Sequence, residues 1–336
     1  MTYSQEQEQL RETLRAFLAR FGDDKEVWGR LTGELGLTAL AIDERYGGFG
    51  ATLAEVGIAL EETGRALLAA PYLPTVATAA ALGEAAADEL PGIAAGTTVA
   101  TLAVAEPGTA WRLDALATTA RESGGGWRLD GVKEYVLDGQ HADLLAVVAE
   151  GGLFLVRAEE TRRTGHSTLD QTRPQARVVF DGAPGVRVGD GRAAAHAVDL
   201  HLLALAAESV GVARASLEAT AAHLLTRTQF GVPLATFQAL RHRVADLAVK
   251  VEAATSTVWY ALRADPDELP VAAPLAKVVA TEAAYAVTAE SIQLHGGIGF
   301  TWEHDAHRYF KRATANRLLF GDPVTLRRLV GARAGI

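Results

Sequence analysis

Apolar and polar positions divide the chain into three textures. Over residues 1–96 the apolar positions recur at helical spacing. Leu10, Leu14, Phe17 and Leu18 share one face, with Glu and Arg between them. RYGGFGATLAEV (residues 45–56) reads as a glycine loop feeding a new helix, with Thr52 as N-cap and Glu55 three residues later. ALLAAPYLPTVATAAALG (66–83) is Ala-rich and carries Pro71 and Pro74, a helix–break–helix pattern of a protein core. Over 97–190 the period shortens. TVATLAV, GWRLDGVKEYVLDG, DLLAVVA, GLFLVR and ARVVFDGAPGVRVG predict short strands, with turns at Asp130-Gly131 and at Gly124 to Gly126. Over 191–336 the helical period returns, and runs at 199–226, 234–263 and 271–294 suit an antiparallel bundle. The expected class is mostly α with a central β-domain, divided as a helical domain (1–96), a middle β-domain (97–190) and a helical bundle (191–336).

Composition narrows what such a chain does. With 336 residues, 49% apolar and 22% charged, it is long enough for a sizeable core and too apolar for disorder. A net charge of -9 gives no reason to expect nucleic acid or an anionic membrane as partner. The absence of cysteine excludes disulfides, thiolate metal sites and cysteine catalysis. The polar, acidic start MTYSQEQEQL is unlike a signal peptide, and a cytoplasmic location is expected.

Three segments carry candidate chemistry. RTQFG ends a long helical run. Arg227 there has a guanidinium suited to bidentate phosphate binding, Phe230 suits a planar cofactor, and Gly231 suits a helix terminus. The same residues also suit a helix end whose Arg meets the macrodipole. QLHGG offers the Gln293 amide and the backbone of Gly296 and Gly297, which glycine lets a pyrophosphate approach. No G-x-G-x-x-G fingerprint or parallel βαβ pattern accompanies it. Glu303, His304, Asp305 and His307 have the look of a metal cluster, but no third ligand is evident. Arg308, Lys311 and Arg312 in the same segment favour an ion-pair network, and no metal is expected. Serine-nucleophile and Walker patterns are missing.

Together these segments resemble the acyl-CoA dehydrogenase family over nearly the whole chain. RYGGFG is similar to that family's Y-G-G-x-G, AEPG (105–108) to its T-E-P-G, and LDGVKEYV (129–136) to its L-N-G-x-K strand pair. RTQFGVPLATFQALRHRVADL (227–247) is similar to its R-x-x-F-G…Q segment, which places Gln238 in the set. QLHGGIGFTWEHDAHRYFKRA (293–313) is similar to its closing Q-x-x-G-G-x-G. The resemblance implies an N-terminal helical domain, a small β-barrel and a C-terminal four-helix bundle. It also implies FAD, an acyl-CoA substrate, α,β-desaturation to a 2-enoyl-CoA, and electron-transfer flavoprotein as acceptor. By that resemblance the cofactor-binding residues are Arg227, Phe230, Gln238, Gln293, Gly296 and Gly297.

The sequence departs from the family where the chemistry sits. Phe320 occupies the position of the basic Glu of Y-E-G-T, and Asp322 that of a flavin-contacting Thr. The alternative Glu position holds His201, followed by Leu202 where Arg is common. Tyr135-Val136-Leu137 replaces W-I-T, Ala105 replaces the Thr of T-E-P-G, and Trp111 stands in the same loop. In the family one subunit supplies the β-domain cradle and the base, and its neighbour supplies the Arg, Phe, Gln and glycines. This chain has altered the first set and kept the second, so the catalytic residue is unknown. The resemblance then implies the subunit of a heteromeric, two-gene acyl-CoA dehydrogenase that lacks the base, as used for bulky substrates such as steroid side chains. Its partner would be a homologous subunit carrying that base. The other readings are an active homo-oligomer with Asp322 or His201 as base, and a flavin-free scaffold of the same fold.

Overall fold

The computed structural model describes residues 3–336. The first elements are the helices α1 (Gln5–Phe21), α2 (Val27–Gly33), α3 (Leu53–Arg65), α4 (Tyr72–Leu82) and α5 (Leu90–Ala94). Seven strands follow: β1 (Ala100–Ala103), β2 (Thr119–Ser123), β3 (Gly126–Leu137), β4 (Leu144–Ala149), β5 (Gly152–Arg157), β6 (Arg162–Gly165) and β7 (Gln175–Gly189). The long helix α6 (Gly191–Thr226) leads to a two-strand hairpin, β8 (Thr228–Gln229) and β9 (Val232–Pro233). Helices α7 (Gln238–Ala261), α8 (Leu269–His295), α9 (Ala306–Leu318) and α10 (Pro323–Ala334) complete the chain.

Local chemistry explains where the early helices start and stop. Ser4 and Gln7 form a reciprocal capping box on α1, and Leu14 and Leu18 are its buried stripe. Thr52 and Glu55 close the start of α3, Ala54 N–H donating to Thr52 Oγ1 at 3.2 Å and Thr52 N–H to Glu55 Oε2 at 2.9 Å. Pro71 stands as N-cap of α4 and Pro74 lies in its first turn, so the expected break precedes the second helix.

The chain forms two compact units, each assembled from separate stretches. One comprises residues 23–56 and 69–204 and contains the large sheet. Its strand order is β1-β4-β5-β7-β3-β2, with β6 paired to β7. The expected barrel is therefore, in its hydrogen bonding, an open sheet: β1 pairs only with β4, and β2 only with β3. Two short polar strands, β2 and β6, escaped the sequence analysis because TARES and RRTG show no apolar alternation. Gly124 and Gly125, at φ 62° and 82°, make the two-residue turn between β2 and β3. Asp130-Gly131 is not a turn. It is a bulge within β3, where the register to β7 shifts and Asp130 Oδ1 accepts the Gly182 N–H at 2.8 Å. The sheet's core includes Leu129, Val136, Leu145, Val147, Phe154, Val178 and Phe180.

The second unit comprises residues 3–22, 57–68 and 205–336. One core draws Val212 and Ala213 from α6, Leu247 and Val251 from α7, Ala284 and Val287 from α8, and Ala313 from α9, the expected four-helix arrangement. Here α3 and α6 pack at backbone distance: a Cβ on Gly211 would lie 1.8 Å from the Glu61 carbonyl oxygen. Helix α6 begins eight residues earlier than its apolar pattern indicated, because Asp190 Oδ1 caps the Arg192 and Ala193 N–H groups. By length and composition α6 is apolar enough to cross a membrane, but 89% of its most apolar window is buried, as in a core helix.

Candidate functional site

The segments that carried the sequence chemistry lie in the helical unit. Helix α6 ends at Thr226, and the Arg227 N–H donates to His223 O at 2.8 Å. The chain then turns through β8 and β9 with Phe230 and Gly231 as the two turn residues, at φ 53° and 80°. A two-residue hairpin with both φ values positive is the tightest return available, and Gly231 fits it without strain. Phe230 does not: a left-handed aromatic costs on the order of 1–2 kcal/mol. Yet its ring is 91% exposed, touching Phe237 edge-on at 6.1 Å, so burial within the chain does not repay that strain. Phe237 immediately precedes Gln238, the first residue of α7.

The Gln293 side chain is exposed near the end of α8, and the helix stops at Gly296 with φ 65° and ψ −142°, a conformation for glycine alone. The three glycines of this segment have three different reasons. Gly296 is required by its φ. Gly299 is required by packing, since a Cβ there would stand 2.8 Å from the Ile292 carbonyl oxygen. Gly297 is required by neither, as its φ is ordinary and a Cβ would meet nothing within 4 Å. Arg227, Gln238 and Gln293 are all exposed, and among the described residues their side chains form no hydrogen bond or ion pair. The ends of α6 and α8 are brought together by rings: His223 and His295 have centroids 4.4 Å apart, and His295 and His304 likewise 4.4 Å. Arg227 and the Gly296-Gly297 pair thus flank one histidine stack. The sequence analysis missed His223, whose only signal was its place one turn before Arg227.

The charged segment after the glycines divides its roles. Asp305 pairs with Arg308 at 3.0 Å, while His307 packs edge-on against Trp302 at 4.6 Å and Lys311 lies over the same indole at 4.1 Å. His304 and His307 therefore face different partners. The network expected there includes the Asp305–Arg308 pair and ring contacts, while Arg312 turns into the core. It donates to Glu208 at 3.0 Å and to the Leu68 carbonyl at 3.1 Å.

Each position weighed as a base has a different occupation. Phe320 is buried, at φ 57°. Beside it, buried Lys277 donates to the carbonyls of Gly321 at 2.6 Å and Arg317 at 3.2 Å, and burial pushes its ammonium down to about 7. Asp322 is the N-cap of α10, with Oδ1 accepting from Val324 N–H at 2.8 Å and Thr325 N–H at 3.1 Å, and Oδ2 from Thr325 Oγ1 at 2.8 Å. Those hydrogen bonds hold its carboxyl below the ordinary carboxylate range. His201 lies in the sheet-containing unit, fully buried. Its Nδ1–H donates to Ala197 O at 2.8 Å and Nε2 stands 3.3 Å from Thr78 Oγ1. Burial pushes its imidazole down to about 4, so it is neutral.

The altered β-domain positions belong to that same unit. Tyr135 sits at φ 56° where the β3–β7 register shifts, half exposed, between Trp111 at 6.4 Å and His166 at 5.3 Å. Leu137 and Ala105 are buried. Behind them Glu106 and Lys133 form a fully buried ion pair at 2.6 Å, and Lys133 also donates to Val104 O at 3.0 Å.

Residues 4–97 match the acyl-CoA dehydrogenase N-terminal domain family, and residues 189–335 the acyl-CoA dehydrogenase C-terminal domain family. Acyl-CoA dehydrogenase IpdE2 of Mycolicibacterium smegmatis is 36% identical over 97% of this chain and 98% of its own length. This chain belongs to the acyl-CoA dehydrogenase family. Acyl-CoA dehydrogenases are flavin-dependent oxidoreductases acting on CH–CH bonds. IpdE2 of Mycobacterium tuberculosis is 35% identical over 98% of both chains. Among solved acyl-CoA dehydrogenase folds, a variant of the Tcur3481–Tcur3483 steroid ACAD superposes with a TM-score of 0.91 at 31% identity, covering 98% of each chain. A chain of the ChsE4–ChsE5 complex of Mycobacterium tuberculosis superposes at 0.90 with 26% identity, covering 99% of this chain and 98% of that one.

Proposed function

We propose that this chain is the subunit of a heteromeric acyl-CoA dehydrogenase that completes the FAD site and leaves the catalytic base to a homologous partner. One observation carries the reading. The Arg227, Phe230, Gln238, Gln293 and Gly297 set is exposed and unsatisfied, while the base positions hold a buried Phe320 and a buried, neutral His201. Among the described residues the strained, exposed Phe230 meets only the edge contact with Phe237 and Gly297 has open space beside it, an arrangement that fits a planar ring and a diphosphate presented from outside. The likeness to subunits of the Tcur3481–Tcur3483 steroid ACAD and the ChsE4–ChsE5 complex supports a two-chain assembly and a bulky, steroid-derived acyl-CoA.

In this reading Arg227 would hold the diphosphate with its fork, Gln293 and the N–H groups of Gly296 and Gly297 would complete the cradle, and Phe230 would cover a ring face. Gln238, at the start of α7, adds an amide to the same edge. FAD bound there would supply the hydride acceptor for the substrate β-carbon, while the α-proton would go to a carboxylate of the partner and the electrons to an electron-transfer flavoprotein.

The deciding experiment is an FAD titration of the assembled protein. Arg227→Ala removes a charge-assisted contact of roughly 1.5–3 kcal/mol, about ten- to a hundred-fold in affinity. Saturating FAD is expected to restore turnover, since the reacting ring contacts the partner. Unchanged FAD affinity in Arg227→Ala would overturn the assignment.

Asp322 gives a second check. A base needs a pKa near the working pH, and its capping bonds move Asp322 the other way. Asn also caps helices, so Asp322→Asn preserves the turn. Turnover of the assembly is expected to stay within about three-fold, below the 10²–10⁴ that a general base supplies. A loss of several orders of magnitude with FAD retained would make Asp322 the base.

A further inference from the structure

The rings between Arg227 and Gly296 have no counterpart in the role proposed above. His223 comes from α6, His295 from the last turn of α8, and His304 from the segment before α9, with successive centroids 4.4 Å apart. Their tautomers follow from their partners. His295 Nδ1–H donates to Ser291 O at 2.8 Å, with Ser291 Oγ at 3.3 Å, itself accepting from Thr220 Oγ1 at 2.7 Å. His304 Nδ1 accepts the Ala306 N–H at 3.1 Å, which places its proton on Nε2 when neutral.

The charges that act on His223 are those of His304 and Arg227, and those on His295 are His223 and His304. All are cationic or capable of it. The carboxylates beside His304 in sequence are Glu303 and Asp305, and Asp305 is tied to Arg308. Arg227 is the permanent cation acting on His223, and three adjoining imidazoles add positive charge on protonation, a grouping that suits an anion from outside.

Resting on the assignment of Arg227 and Gly296-Gly297 to a diphosphate, we propose that His223, His295 and His304 form a proton-regulated extension of that anion site. The stack binds a proton together with the FAD diphosphate and releases it when FAD leaves.

The sign follows from linkage. Burial first, then the neighbouring cations, hold His223 and His295 below the ordinary imidazole value without ligand. A diphosphate screens Arg227 and attracts the imidazolium, raising those values in the complex. Protons and FAD therefore promote one another's binding, and the effect grows as pH falls through the imidazole range.

The test measures FAD dissociation constants by flavin fluorescence on the assembled flavoprotein, from about pH 5.5 to 8.5. Wild type, Arg227→Ala and the double variant His223→Phe, His304→Phe are compared. Phenylalanine keeps the ring contacts and removes the titratable nitrogens of His223 and His304, the two rings that flank His295. Wild type is expected to bind FAD at least about five-fold more tightly at the acid end, and the double variant to lose that gain. Equal pH slopes in wild type and double variant, with Arg227→Ala still weakened, overturn the proposal and leave the interface assignment standing. Unchanged affinity in Arg227→Ala overturns both. Should the double variant misfold, histidine Cε1 NMR titration of the unsubstituted protein decides. The stack must titrate at higher pH with FAD than without it, and identical titrations reject the coupling.

Discussion

Purified without a base-bearing partner, this chain is expected to desaturate acyl-CoA substrates at least about a hundred-fold more slowly than the assembled protein. The size follows from what a positioned general base contributes, typically 10²–10⁴ in rate. An α-proton of a thioester is weakly acidic, and in the proposed reading the positions weighed as base do not take it. Phe320 has no acceptor, His201 is fully buried and neutral, and Asp322 spends both carboxylate oxygens on the first turn of α10. The isolated chain is also expected to hold little flavin, since in the proposed reading its exposed groups form one side of a site. The measurement is flavin content and turnover of the chain alone and of the mixture with its partner. A yellow, fully loaded and fully active single chain would sink the heteromer reading in favour of an active homo-oligomer. An assembly with no flavin at all would favour the scaffold.

Replacing Arg312 by Ala is expected to destabilise the chain by about 3–5 kcal/mol, a large part of the 5–15 kcal/mol that holds a typical domain folded. Arg312 is fully buried and donates to Glu208 and to the Leu68 carbonyl, while Asn316 Nδ2 donates to the other Glu208 oxygen at 2.8 Å and to Ser209 Oγ at 3.2 Å. Truncation removes the countercharge of the buried Glu208 carboxylate and leaves the Asn316 amide donating to it. The surroundings leave little room to relax, since a Cβ on Gly64 would already stand 2.2 Å from the Glu208 carbonyl oxygen. Urea denaturation of Arg312→Ala reads the loss directly. Pairing Arg312→Met with Glu208→Leu should recover most of it, because the penalty belongs to the unpaired charge. A loss below about 1 kcal/mol would mean that Glu208 finds another partner.

The order of helices, sheet and helices was legible because hydrophobic periodicity is a local property. Five short motifs in the right sequence sufficed to indicate the family, since each is a run of neighbouring residues. The strands of the large sheet that were missed, β2 and β6, are those whose polar residues carry no alternation; pairing with β3 and β7 makes them strands. Asp130-Gly131 has the composition of a turn, yet the pairing of β3 with β7 on both sides makes it a bulge.

The candidate site shows the same division more sharply. Residue type offered Arg227, Phe230, Gln293 and the glycine pair, and the family resemblance added Gln238, with Asp322 and His201 as rival bases. Burial and hydrogen bonding then separated them, leaving the first group exposed and unsatisfied while fixing Asp322 as a cap and His201 in the core. Gly297 and Gly299 are indistinguishable as letters; a neighbouring carbonyl confines one and open space lies beside the other. The His223–His295–His304 stack joins residues up to 81 positions apart (304 − 223) and left no mark in the sequence. Segment type and family follow from near neighbours along the chain. Whether a polar group is satisfied depends on which distant residues packing brings to it, and no local pattern records that.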